Sequence, residues 1–483
     1  MMDVPTDRKT REVITQSISM LTGLFVFQDR FGKKLEQQGK SRYNNLVFQY
    51  EKTEKERCYM DRSDVVYQTY VEILRRELVC AMGCTEPIAL AYCAATARSV
   101  LGAVPDRIMV EASGNIIKNV KSVVVPHTGG RRGIAVAAAI GVLGGDESAG
   151  LEVISNVKSE VIEALGPYLE HTPIEIKSLK SEQLLDMIIT VYKGDSCAKV
   201  RIANEHTHIV SVERDGVVLR NSDVDTPKKV EAVPDYNLLT VENIYDFACT
   251  CDLEDVRPIL ERQITLNTAI AEEGLRHDYG ANIGKVLLTT GDTLRTRAKA
   301  YAAAGSDARM NGSELPVVIC SGSGNQGLTT SLPVIVYAKG LNAGTEKLYR
   351  ALLISNLITL HCKASIGRLS AYCGAVSAGA GAGAGIAYLH GGDERVVAHT
   401  IVNCLAVSSG IVCDGAKSSC AAKIATAVET GIFGYEMFKN GQQFYGGDGL
   451  VVKGVENSIA NFGRLGRVGM RETDQEIIRM MTE

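Results

Sequence analysis

The sequence contains no tryptophan, and aromatic residues make up only 6% of its 483 positions. It also lacks a surplus of either charge, with a formal net charge of -4 and no block of lysine and arginine. A nucleic-acid binder normally carries a basic stripe, so nucleic acid is not an expected partner. A membrane-surface role has equally little support. The apolar stretch from Ser17 to Phe27 is short and has no clean small-residue cleavage site, so no signal peptide is recognised. No tandem repeat is found, and low complexity is confined to Gly379 to Gly385.

Glycine and cysteine are what the chain has in quantity: 47 and 13 residues. Abundant glycine with few aromatics points to closely packed helices and to backbone brought near a ligand. An odd cysteine count without a leader argues for a reducing, cytoplasmic setting. There cysteines serve as thiols, metal-binding thiolates or small core residues. The stretch Leu369 to Leu389 is almost uncharged and long enough to suggest a membrane span. It consists mainly of Ala, Gly and Ser, so the expectation is a buried helix packed through small residues and no membrane partner.

The length allows two or three domains with a large core. Residues 1–60 are polar, charged and weakly periodic, and read as a poorly structured or dispensable extension, or as upstream sequence translated from an early methionine. Residues 61–105 and 240–483 read as a mostly helical catalytic domain, and 106–239 as a smaller inserted α/β lobe, giving an α+β protein. Helical spacing runs from Val65 to Leu101 and is broken at Gly83-Cys-Thr-Glu-Pro87, where two helices are expected to meet. Arg107 to about Val125 reads as strands and Gly133 to Gly144 as a small-residue helix. Further strands are expected at Ile174 to Ile176, Met187 to Tyr192, Ala198 to Ile202 and Ile209 to Val212. Asp215-Gly216 marks a hairpin.

Several constellations carry chemistry. Cys373 follows Leu369-Ser-Ala-Tyr, and Cys413-Asp-Gly-Ala-Lys-Ser-Ser-Cys420 is loop-like. Thiolates are the usual ligands of iron–sulfur clusters, and three of them would leave one iron open as a Lewis acid. The spacing matches neither ferredoxin runs nor zinc knuckles, and buried apolar cysteines account for it equally well. Cys84 is a ligand, a reactive thiol whose pKa a helix N-terminus lowers, or a buried thiol at a helix break. Glu86 is an acid–base candidate or a helix cap.

Ser321-Gly-Ser-Gly-Asn-Gln-Gly327 imitates a dinucleotide fingerprint. The segment around Glu346 reads as helix, however, and leaves no second strand to present an acid. Backbone amides with Ser321, Ser323, Asn325 and Gln326 suit a small carboxylate better, with Arg309 as a charged partner. By composition alone Arg309 reads as a solvated surface residue. His206 and His208 read as a solvent-facing pair on one strand face. Cys249, Cys251, Cys320 and Cys362 have no assigned role.

Taken together, Gly83-Cys-Thr-Glu-Pro87, Ser306-Asp-Ala-Arg-Met310, Ser321 to Gly327, Arg368-Leu-Ser-Ala-Tyr-Cys373 and Cys413-Asp-Gly-Ala-Lys417 resemble the L-cysteine desulfidase family. That family is related to the α-chain of iron–sulfur L-serine dehydratases, and the resemblance runs from about Tyr67 to the C-terminus. It implies an oxygen-labile [4Fe–4S] cluster with three cysteine ligands, no pyridoxal phosphate, and conversion of L-cysteine to pyruvate, ammonia and hydrogen sulfide. Cys373 and Cys413 match ligand positions in both branches. Cys420 matches the third ligand of the serine dehydratases, and Cys84 the desulfidase candidate. The reading adopted has Cys373, Cys413 and Cys420 as ligands, with Cys84 near the substrate. L-serine dehydration and a non-catalytic iron–sulfur or thiol sensor are the rival functions. The apolar balance is compatible with a homo-oligomer.

Overall fold

The computed structural model describes residues 60–222, 234–367 and 369–482. The expected N-terminal extension therefore lies outside the described residues, apart from Met60. Helix α1 (Val65–Glu77) starts where the Asp64 carboxylate accepts from the Val66 amide. A short strand β1 (Cys80–Met82) then precedes α2 (Thr85–Leu101), so the two expected helices are separated by an extended step. Pro87 is tolerated because it sits in the first turn of α2, where backbone N–H groups have no helical partner anyway.

After β2 (Arg107–Ala112) the chain forms α3 (Gly114–Val120), not the continuous strands expected to about Val125. Ile116, Ile117 and Val120 are β-branched and read locally as strand. The burial of Ile116 and Val120 in the core under the sheet overrides that preference. Next come α4 (Ile134–Gly144), α5 (Ser159–His171) and strands β3 (Ile174–Ser178), β4 (Asp186–Lys193), β5 (Ser196–Ala203), β6 (Ile209–Arg214) and β7 (Val217–Asn221). The expected strands all lie within these. The sheet order is β3-β2-β4-β5-β6-β7, with β2 and β3 parallel and the other neighbours antiparallel. Asp215 and Gly216, both at positive φ, make the β6–β7 hairpin turn. One face of the sheet packs against α2, whose Ile88 to Leu101 share its core.

The rest is helical: α6 (Val241–Thr250), α7 (Arg257–Arg276), α8 (Ile283–Thr289) and α9 (Leu294–Met310). Strand β8 (Pro316–Val318) pairs antiparallel with β1. Then follow α10 (Gly324–Gly340), α11 (Thr345–Ala364), α12 (Gly374–Leu389), α13 (Glu394–Ser408), α14 (Cys420–Lys439), α15 (Val455–Arg464) and α16 (Arg471–Thr482). The architecture is α+β with a helical bulk, as expected.

The small-residue stretch is α12, buried between two neighbours. Its alternating glycines form two ridges four residues apart. Gly379 and Gly383 face the backbone of α14 at Ala427 and Gly431, while Gly381 and Gly385 face that of α11 at Ser355 and Ala351. A Cβ on Gly383 would lie 2.5 Å from the Gly431 carbonyl oxygen. We expect Gly383→Ala to lower the unfolding free energy by about 1–3 kcal/mol through overpacking. Gly344→Ala, at the N-cap of α11 with open space around it, should cost less, losing only the N-cap preference for glycine; chemical denaturation of both compares them. Among the described residues, no helix is long and apolar enough to cross a membrane.

Candidate active site

The helix–strand–helix junction, α3, the N-terminus of α10 and the two cysteine loops all converge on one cavity of about 110 Å³. Cys373 is the N-cap of α12, and Cys420 is the first residue of α14. The loops carrying Cys373 and Cys413 are laced together: Cys373 donates its amide to Ile411 (3.1 Å) and Cys413 donates its amide to Ala371 (2.6 Å). Gly415 lies at φ +92, pressed against the Lys118 backbone carbonyl, where a side chain would not fit.

Cys373, Cys413 and Cys420 all line the cavity. Burial pushes the Cys373 thiol up to about 12, and the neighbouring Cys413 and Cys420 add to the shift. Burial and Cys413 likewise raise Cys420. Beside them, burial works against the Asp414 carboxylate, but Lys417 and Lys423 hold its pKa to about 2. Among the described residues no group of three or more His, Cys, Asp or Glu side chains is arranged to hold a metal ion.

Cys84 and Glu86 line the same cavity, and Cys420 packs against the apolar cluster to which Cys84 belongs. Cys84 caps α2, yet its thiol is pushed well above its ordinary value, by burial first and then by Glu86, with Arg309 opposing. The expected lowering by the helix terminus is outweighed. The thiol donates to Glu86 Oε2 at 3.1 Å, Thr85 Oγ1 donates to the same oxygen at 3.0 Å, and Asn119 Nδ2 donates to Oε1 at 2.9 Å. Burial alone would raise the Glu86 pKa. The charge on His206, the Cys84 contact and Arg309 outweigh it and hold the carboxyl below its ordinary value.

Arg309 is not a surface residue: it is 1% exposed, at the end of α9. Its Nη1 donates to Asn325 Oδ1 at 3.1 Å, while Nε and Nη2 have no partner. It packs against Gly324 at the start of α10, next to Ser323, Asn325 and Gln326 on the cavity wall. The Gln326 carbonyl oxygen is also buried without a partner. Ser321 is not on the wall. With Gly322 it makes a positive-φ turn that reverses β8 into α10. Among the described residues that strand has only the antiparallel β1 beside it, which is not a dinucleotide-binding context for the glycine motif.

His206 and His208 lie in the turn between β5 and β6 and are buried, contrary to the solvent-facing expectation. His208 Nδ1 approaches the Ala203 carbonyl at 3.2 Å. Cys320 and Cys362 are buried away from the wall, and the described cysteines form no disulfide. Sequence reasoning missed Asn115, Lys118 and Asn119 because it read α3 as strand. The Ser113-Gly114-Asn115 turn signal was the one local clue. It also missed Lys363 and Lys423, which line the same cavity.

A sequence model described as the serine dehydratase alpha chain matches residues 148–479. The chain belongs to that family. The match takes in Arg309 and the three cavity cysteines Cys373, Cys413 and Cys420, and begins after Cys84 and α3. A UPF0597 protein of Desulfitobacterium hafniense is 57% identical over 425 residues, covering 88% of this chain and 98% of its own. UPF0597 proteins of Lachnoclostridium phytofermentans and Finegoldia magna are 51% and 47% identical, each covering 86% of this chain and 100% of their own. Membership of the serine dehydratase alpha-chain family puts the chain with iron–sulfur dehydratases and lyases.

Proposed function

We propose that the protein is a [4Fe–4S] lyase, independent of pyridoxal phosphate, that converts L-cysteine to pyruvate, ammonia and hydrogen sulfide. The observation that carries the reading is a single cavity joining three thiols to a buried arginine with two unpartnered nitrogens. The donor set fits a cluster. Cys413 and Cys420 add to the shift of Cys373, and Cys413 to that of Cys420, whereas Cys84 packs near Cys420 but is tied by its hydrogen bond to Glu86. Thiols become thiolates when a polycationic group takes them, and a cluster spreads its cysteines over separate irons. Cys373, Cys413 and Cys420 would hold it. When bound, the cluster supplies a Lewis-acidic, thiophilic iron to the cavity.

The chain's own residues do the remainder. Arg309 Nε and Nη2 bind the substrate carboxylate, assisted by the amides that open α10 and oriented by the bond from Nη1 to Asn325. Ser323 and Gln326 close that end of the cavity. Glu86 is the one carboxylate on the wall among the described residues. Held ionised, it takes the α-proton, and the hydrogen bond that the Cys84 thiol donates to Oε2 helps hold it ionised beforehand. Burial keeps bulk water from the pair.

L-serine is the second reading, favoured by the description of the matching family. Protein reconstituted anaerobically with iron and sulfide should release sulfide and pyruvate from L-cysteine, and lose that activity in air. Pyruvate from L-serine without sulfide from L-cysteine would select the second reading. Pyruvate from neither would refute both.

A further inference from the structure

Asp474, on the C-terminal helix α16, is 6% exposed and reaches two residues of the cavity wall. It accepts from Asn115 Nδ2 at 2.8 Å and from Lys118 Nζ at 2.5 Å. A carboxylate only accepts, so Asp474 dictates which end of the Asn115 amide faces it. The nitrogen turns toward Asp474 and the carbonyl oxygen turns away. That oxygen is buried without a partner, on a residue 4% exposed that lines the cavity. A buried acceptor left unmade is costly unless a ligand supplies the donor.

The donor it awaits is cationic. Asn119, four residues along α3 and so on the same face, holds the Glu86 carboxylate. Asn115 Oδ1 is therefore an acceptor near a held negative charge, and Lys118 already neutralises Asp474 behind it. Arg309 and the start of α10 supply the complementary anion site of the same cavity.

We infer that Asn115 Oδ1 receives the α-ammonium group of the substrate, and that Asp474 is a positioning residue that sets the Asn115 amide for it. This rests on the amino-acid reading of the cavity. It assigns to α3 and the C-terminal helix the discrimination between an α-amino acid and the corresponding plain carboxylic acid. Asn115 acts by contact, Asp474 through Asn115.

The test is calorimetric binding to the anaerobic holoenzyme of L-alanine, which has the ammonium but no leaving group, and of propionate, which lacks the ammonium. The native protein should favour alanine, and Asn115→Leu should weaken alanine binding about 10-fold, the loss of one charge-assisted hydrogen bond, with propionate unchanged. Asp474→Asn should weaken alanine selectively by about 3- to 10-fold, and the double variant should be no worse than Asn115→Leu alone. Iron content and visible absorbance identify any variant that has lost its site. If Asn115→Leu does not fold, the Asp474→Asn selectivity decides. Alanine binding unchanged in either variant, or alanine and propionate weakened equally, overturns the inference. Binding of neither ligand by the native protein would instead overturn the amino-acid reading on which it rests.

Discussion

Cys373→Ser should abolish both the proposed cluster and turnover. The substitution changes one atom at the N-cap of α12, and the backbone ribbon that ties this loop to the Cys413 loop is independent of the side chain. The fold is therefore kept, and thermal unfolding of the cluster-free variant should match that of cluster-free native protein. The hydroxyl is a far poorer iron ligand than a thiolate, so iron and acid-labile sulfide should fall to background after reconstitution. Cys84→Ser is the informative companion. Cys84 hydrogen-bonds to Glu86, and its thiol is held protonated by burial. That variant should retain the cluster absorbance and lose far less turnover than Cys373→Ser, because a serine hydroxyl still donates to Glu86. An active Cys373→Ser protein that keeps its cluster would refute the ligand assignment. Loss of the cluster in Cys84→Ser, with retention in Cys420→Ser, would make Cys84 the third ligand instead.

Much of this was legible in the sequence because the relevant signals are local. Thiols at 373, 413 and 420, the Gly83 to Pro87 break and the polar start of α10 are each short motifs, and all three regions contribute to one cavity. The glycines of α12 announced close packing, although their division into two ridges is visible only once α11 and α14 are in place. What stayed illegible was decided by tertiary burial. The β-branched residues of α3 favour strand in isolation and form helix because the sheet's core accepts Ile116 and Val120. The helix brings Asn115, Lys118 and Asn119 to the cavity, so one misread element hid three wall residues. Arginine is exposed in most proteins, and nothing adjacent to Arg309 signals that it will be almost wholly buried. His206 and His208 alternate as on a strand, but Asn204 at positive φ marks the tight turn that carries them inward.

Arg309→Met separates function from stability. A buried guanidinium with Nε and Nη2 unpartnered is a desolvation cost to the empty fold, offset only by its bond to Asn325 and the field of Glu86. Methionine fills similar space without that cost, so the unfolding free energy of the ligand-free protein should not fall. Activity should. Removing one partner of a desolvated charge pair costs about 2–5 kcal/mol, which predicts a loss of about 30- to 5,000-fold in kcat/KM for L-cysteine. Iron content should be unchanged, since Arg309 is not among the thiols that would hold the cluster. The pH profile carries an independent sign. Arg309 helps hold Glu86 below its ordinary pKa, and a base must be deprotonated to work. Without the guanidinium the Glu86 pKa rises, so the acid limb of kcat/KM should move to higher pH. A variant that loses activity together with stability, with its acid limb unmoved, would give Arg309 a structural role and leave the substrate carboxylate without its assigned partner.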